Sequence, residues 1–94
     1  MRIKWTERAI ADLEHVEAYI TQDNPQAAVN AVLKIIDTIS LLKEQPGLGR
    51  AGRIPGAKEL VIPNMPYIVP YRVKDDTVQI LRVYHSSRIW PDRI

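Results

Sequence analysis

Cysteine is absent from the 94 residues, which excludes a disulfide framework, a thiolate nucleophile and a Cys-based zinc site. Histidine occurs only twice, at His15 and His85, and no carboxylates group with either to suggest a metal centre. No apolar run approaches the roughly 20 residues of a membrane span. The opening Met1-Arg2-Ile3-Lys4-Trp5 passes directly into a polar, acidic segment, unlike a signal peptide. Glycine is scarce and confined, with all four between positions 47 and 56. These absences lead us to expect a cytoplasmic chain without metal, cofactor or membrane contact.

Hydrophobic residues make up 46 % and charged residues 26 %, a globular balance rather than a disordered one. The length suits a single domain over 1–94. A chain of this size buries only about 60 to 65 % of its unfolded surface, so a partner can add to its stability. Charge is unevenly spread. Residues 1–45 carry five Lys/Arg against seven Asp/Glu, and residues 46–94 carry eight against four. Six of those eight are arginines, the type whose planar fork fits phosphate or carboxylate. An anionic partner on the second half is therefore expected, although ordinary solvation also explains a net charge of +2.

Ile3 to Trp5 reads as a short first strand. Thr6 can cap a following helix, with Glu7 in its first turn. Ala9, Leu13, Val16 and Ile20 then form one helical stripe, ending near Gln22. Asn24-Pro25 reads as the cap and first residue of a second helix reaching about Glu44. Ala28, Val32, Ile35, Ile39 and Leu42 make its main apolar row, with Val29, Leu33 and Ile36 beside it. A stripe that wide predicts packing against both the first helix and a sheet, part of it being available to a dimer face. Pro46 to Gly56 is a loop. The period then changes to two across Glu59–Ile62, Tyr67–Val73 and Val78–Tyr84, with Lys74-Asp75-Asp76-Thr77 as a hairpin turn. Pro70 requires a bulge, an unpaired side or a shorter strand, because it lacks a ladder donor. The resulting fold class is α+β: an N-terminal antiparallel helical hairpin on a small, mainly antiparallel sheet.

No strong catalytic motif is present. Gly47-Leu48-Gly49-Arg50-Ala51-Gly52 lacks the terminal lysine and the strand–helix context of a phosphate loop, and reads as a flexible turn. His15 falls one step off its stripe and is expected at the surface. Strand alternation groups Arg82 with Tyr84 and Val83 with His85. Arg72 and Arg82 can lie side by side to hold a phosphate or acidic peptide, or each can pair with a local acid such as Glu59. A metal-free ribonuclease needs a base, an acid and cations on the phosphate. His85, Glu59, Tyr84, Arg72, Arg82 and Arg88 supply those types. Trp90 can stack on a base or cover a core edge.

Taken in order, Pro46-Gly47-Leu48-Gly49-Arg50, Gly52-Arg53, Gly56, Glu59–Ile62, Tyr67-Ile68-Val69, Tyr71-Arg72-Val73, Val78 to His85, Arg88 and Trp90-Pro91 resemble the RelE/ParE superfamily of toxins from bacterial type II toxin–antitoxin systems. With the helical hairpin, the resemblance covers essentially the whole chain. It implies a toxin that a cognate antitoxin wraps and silences, as a heterotetramer or higher complex. RelE-like members cut messenger RNA on the ribosome, whereas ParE-like members block DNA gyrase. The nuclease pattern places an arginine three residues before the tyrosine that resembles Tyr71, and Ile68 stands there instead. The resemblance is therefore closer to the ParE-like branch, with Arg50, Arg53, Arg72, Arg82, Arg88 and Trp90 as candidate target- or antitoxin-binding residues. The alternative is a nuclease using His85, because some members lacking that arginine rely on a histidine near the C-terminus.

Overall fold

The computed structural model describes residues 1–87. In chain order the elements are β1 (Arg2–Trp5), α1 (Glu7–Thr21), α2 (Pro25–Ser40) and a 3-10 turn (Leu41–Lys43). They are followed by β2 (Arg50–Ala51), β3 (Lys58–Val61), β4 (Tyr67–Lys74), β5 (Thr77–Ile80) and β6 (Tyr84–His85). The sheet order is β1-β5-β4-β3-β2, with β6 continuing beside β4. Among the described residues, the β1–β5 pairing is parallel and the other pairings are antiparallel. The helical hairpin covers one face, and Ile35, Ile39 and Leu42 join Leu60, Ile62, Val69, Tyr71, Val78 and Ile80 in the core. No helix among the described residues is long and apolar enough to cross a membrane.

Both helix starts follow from capping chemistry. Thr6 is extended, and its hydroxyl accepts from the Ala9 N–H at 3.2 Å. The same hydroxyl lies 2.9 Å from the Ile80 carbonyl, tying α1 to the end of β5. Asn24 Oδ1 accepts from the Ala27 N–H at 3.1 Å, and Pro25 occupies the first turn, where no N–H is missed. The expected second helix is too long by one turn, because its end tightens into the 3-10 segment. Its apolar rows also need correction. Ala28, Ile35, Ile39 and Leu42 are buried as the spacing predicts, Ala31 joins them, and Val32 is half-buried. Val29, Leu33 and Ile36 face outward instead, at 47 %, 53 % and 37 % exposure. The hairpin and the sheet together use only part of the stripe.

The last predicted strand, Val78–Tyr84, is interrupted. Tyr71 pairs with Ile80 and Ile68 with Tyr84, so three steps along β4 face four along its partner. One extra residue is accommodated at Leu81–Val83, as in a β-bulge. This resolves Pro70. Its carbonyl accepts from the Leu81 N–H at 2.9 Å, so its missing donor points at the stretch where the ladder is broken. The loop expected over 46–56 contains β2, which pairs Arg50 with Glu59. Two residues are too few for a periodic signal. The hairpin turn forms as expected, with Asp75 and Asp76 at φ 52° and 59°, a conformation that aspartate tolerates.

Candidate functional site

Three constellations gather candidate polar residues of the sheet half. The first lies at the bulge. β1 covers the edge of β5 only as far as Ile80, and beyond that point Asp12 of α1 takes over. Its Oδ2 accepts from Arg82 Nε at 2.8 Å and from the Val83 N–H at 2.9 Å, while Oδ1 accepts from Arg82 Nη2 at 3.1 Å. Asp12 is only 8 % exposed. The Asp12 hydrogen bond raises the Arg82 pKa above its ordinary value, against the lowering effect of partial burial. The guanidinium also sits 4.8 Å from the centre of the Tyr84 ring. Sequence reasoning missed Asp12, yet the signal was there: an acid three residues after Ala9 and four before Val16, on the apolar face of α1.

The second constellation is a cleft of about 330 Å³ between α1 and the sheet. Asp12, His15, Val16 and Tyr19 line it at successive turns of α1, facing Tyr67, Val83, His85 and Ser87. The two histidines, 70 positions apart in sequence, thus share one cleft. His85 meets Tyr67 edge-on, with ring centroids 5.5 Å apart at 84°. Its Nδ1 accepts from the Ser87 N–H at 3.2 Å and lies 2.7 Å from Ser87 Oγ. A backbone N–H can only donate, so the neutral ring carries its proton on Nε2. Among the described residues no three His, Asp or Glu are grouped to hold a metal.

The third constellation secures the loop. Glu59, 3 % exposed, accepts from the Arg53 N–H at 2.8 Å and from Arg50 Nη2 at 3.3 Å. Its carboxylate also lies 4.0 Å from Arg53 Nε. Tyr71, fully buried, donates to the Pro46 carbonyl at 2.7 Å and accepts from the Gly49 N–H at 2.8 Å. Burial pushes the Tyr71 pKa up, partly offset by the Gly49 bond. A Cβ on Gly49 would stand 2.6 Å from the Tyr71 ring and 2.9 Å from the Glu59 carbonyl. Glycine is required there by close approach rather than by a turn.

The structure separates several residues that sequence reasoning had grouped. The pairing of strands places Glu59 opposite Pro70 and Tyr84 opposite Ile68. These residues share a sheet face with Arg72, which lies two further along β4. His85 pairs with Tyr67 on the other face, beneath α1. Arg82 lies against Tyr84, and Val83 lines the cleft with His85, so the expected alternation survives the break. Arg72 and Arg82 have separate partners: Arg72 Nε donates to Gln79 at 2.7 Å, and Arg82 is held by Asp12. The acid that Arg82 finds is therefore Asp12, while Glu59 serves Arg50 and Arg53. Arg88 and Trp90 lie outside the described residues.

A family model described as "ParE toxin of type II toxin-antitoxin system, parDE" matches residues 3–90. Y4kP of Sinorhizobium fredii is 46 % identical over 90 residues, spanning 96 % of this chain and 93 % of that one. Toxin RelE2 of Caulobacter vibrioides is 35 % identical over 88 residues, spanning 94 % and 98 % respectively. Among solved structures, the chromosomal ParDE toxin–antitoxin system from P. aeruginosa aligns with a TM-score of 0.82 and 34 % identity. That match covers 90 % of this chain and 95 % of the other.

Proposed function

Because the chain belongs to the ParE toxin family of type II toxin–antitoxin systems, we propose that its target is DNA gyrase and that it acts as a non-catalytic inhibitor silenced by a cognate antitoxin. The relatives carry both ParE and RelE names, so the choice of target rests on the site. The observation that carries it is the position of His85. A metal-free nuclease needs its base and its phosphate-holding cations around one scissile bond, within about 2.6 to 3.2 Å of the atoms they serve. Here the histidine faces α1, whereas Arg72 and Glu59 belong to the opposite sheet face. Glu59 is engaged by Arg50 and by the Arg53 backbone, and Ile68 stands where the nuclease pattern wants an arginine. For the antitoxin, the exposed row Val29, Leu33 and Ile36 on α2 offers an apolar landing surface.

The test compares two reactions side by side. Purified chain should suppress supercoiling by gyrase and leave transcripts on translating ribosomes intact. His85→Gln should retain most of the gyrase effect. Ribosome-dependent transcript cuts that vanish with His85→Gln would instead establish the nuclease, with losses of roughly 10²- to 10⁴-fold expected for removal of a general base.

A further inference from the structure

The sheet face turned away from the helices carries a feature that neither the bulge nor the loop explains. Ile3 and Val73 both pair with Val78, and Trp5 and Tyr71 both pair with Ile80. These residues define the helix side. The residues between them point the other way and fall into two rows across β1, β5 and β4. One row is Arg2, Thr77, Lys74 and the next is Lys4, Gln79, Arg72. Four cations thus stand at the corners of a plate whose centre is neutral and polar. Adjacent strands are about 4.8 Å apart and alternate residues about 6.8 Å, so the plate measures roughly 10 by 7 Å.

The four corner residues are exposed. None makes an ion pair with an acid among the described residues. Arg50, Arg53 and Arg82, by contrast, are all engaged with carboxylates. Among the described residues, Asp75, at the turn, is the acid that lines the depression formed with Arg2, Ile3, Lys4, Lys74, Thr77 and Gln79. No sequence window reveals the plate, because β1 and the β4–β5 hairpin lie some 70 residues apart and only the parallel pairing brings them together.

We propose that this plate binds the phosphate backbone of duplex DNA. Protein-binding surfaces have a core depleted of charge and enriched in aromatic residues, whereas the six residues of the two rows are all polar or cationic, with Ile3 as the one apolar residue lining the depression beside them. Single-stranded nucleic acid is held by aromatic stacking platforms, and the plate offers none. An array of exposed Lys and Arg without carboxylate partners among the described residues, around a hydroxyl and an amide that already accepts from Arg72, matches backbone contacts that carry no sequence information. The choice of DNA rests on the gyrase reading, since the target of such an inhibitor would itself be engaged with duplex DNA. The plate then gives the toxin a second, electrostatic hold on the gyrase–DNA complex.

The test is fluorescence anisotropy of the full chain with a short labelled DNA duplex across a salt series. Four phosphate contacts give a slope of log K against log salt of about −3.6, a loss of roughly 10²-fold between about 50 and 200 mM. Arg2→Gln/Lys4→Gln and Arg72→Gln/Lys74→Gln should each remove about half of that slope. Lys43→Gln, off the plate, should leave it unchanged, and circular dichroism would check that each variant folds. A slope near zero, or plate variants that bind like wild type, overturns the proposal. So does tighter binding to single strands, to an RNA duplex or to polyglutamate. Gyrase inhibition is scored separately. Unaltered inhibition by variants that no longer bind DNA sinks the plate's role and spares the target, whereas DNA binding without inhibition sinks the target and leaves DNA binding by the plate intact.

Discussion

At the scale of the residue, Asp12 is the position on which most depends. It satisfies a cation and a backbone N–H at a sheet edge that β1 is too short to cover. Asp12→Ala leaves Arg82 and Val83 without that partner, and breaking such a largely buried pair costs about 3 to 5 kcal/mol. Urea denaturation should show this loss, and Asp12→Leu with Arg82→Met should recover part of it. A loss below about 1 kcal/mol for Asp12→Ala would class the pair with ordinary surface ion pairs. Tyr71 supports a second prediction. Its folded pKa lies above the unfolded value because burial disfavours the phenolate. Its contribution to stability is therefore fully present below about pH 10 and is lost as pH rises through the folded pKa. Tyr71→Phe should be less stable at neutral pH, by about 1 kcal/mol for the hydrogen bonds removed. Its stability should also fall less steeply above pH 10 than that of wild type, which pH-dependent urea midpoints would show.

At the scale of the element, α2 divides its apolar residues between two uses. Ile35 is fully buried while Leu33 is 53 % exposed, two positions away. Ile35→Ala should cost about 2 to 5 kcal/mol through lost burial and a residual cavity. Leu33→Gln should alter stability by no more than about 0.5 kcal/mol. If the antitoxin lands on this row, Leu33→Gln should weaken its binding by calorimetry while leaving the melting temperature in place. Equal binding by both proteins would move the antitoxin interface elsewhere. The bulge shows how one irregular element joins several others. An extra residue at Leu81–Val83 accommodates Pro70 and turns the Val83 N–H to the edge, where Asp12 reaches it.

At the scale of the whole molecule, the sheet separates two chemistries. One face, under α1, holds the cleft with His15 and His85; the other holds Glu59, Arg72 and the cationic plate. This separation supports the proposed reading, capture of a large partner, over cleavage of one bond. Removing a positioned base lowers catalysis by orders of magnitude, whereas removing one residue from a broad contact surface has a graded effect. Growth inhibition should accordingly fall gradually along a series of Arg72, Lys74 and Lys4 substitutions and change little with His85→Gln. Colony counts after induced expression would distinguish the two patterns. Abrupt loss at His85 alone would favour the nuclease.

Much of this protein was legible in its sequence wherever the information is local. Thr6 and Asn24-Pro25 marked the helix starts because a cap bonds to backbone only two or three residues away. The periods of 3.6 and 2 separated the hairpin from the sheet, and Asp75-Asp76 marked the turn. The order of short motifs identified the family, and Pro70 announced a break without saying where. What required tertiary structure was every relation between distant segments. The parallel pairing of β1 with β5 assembles four cations from opposite ends of the chain. The packing of α1 on the sheet puts His15 and His85 in one cleft and brings Asp12 to Arg82. Periodicity assigns a residue to a face of its own element, but the neighbour it meets there depends on which strands pair and in what register.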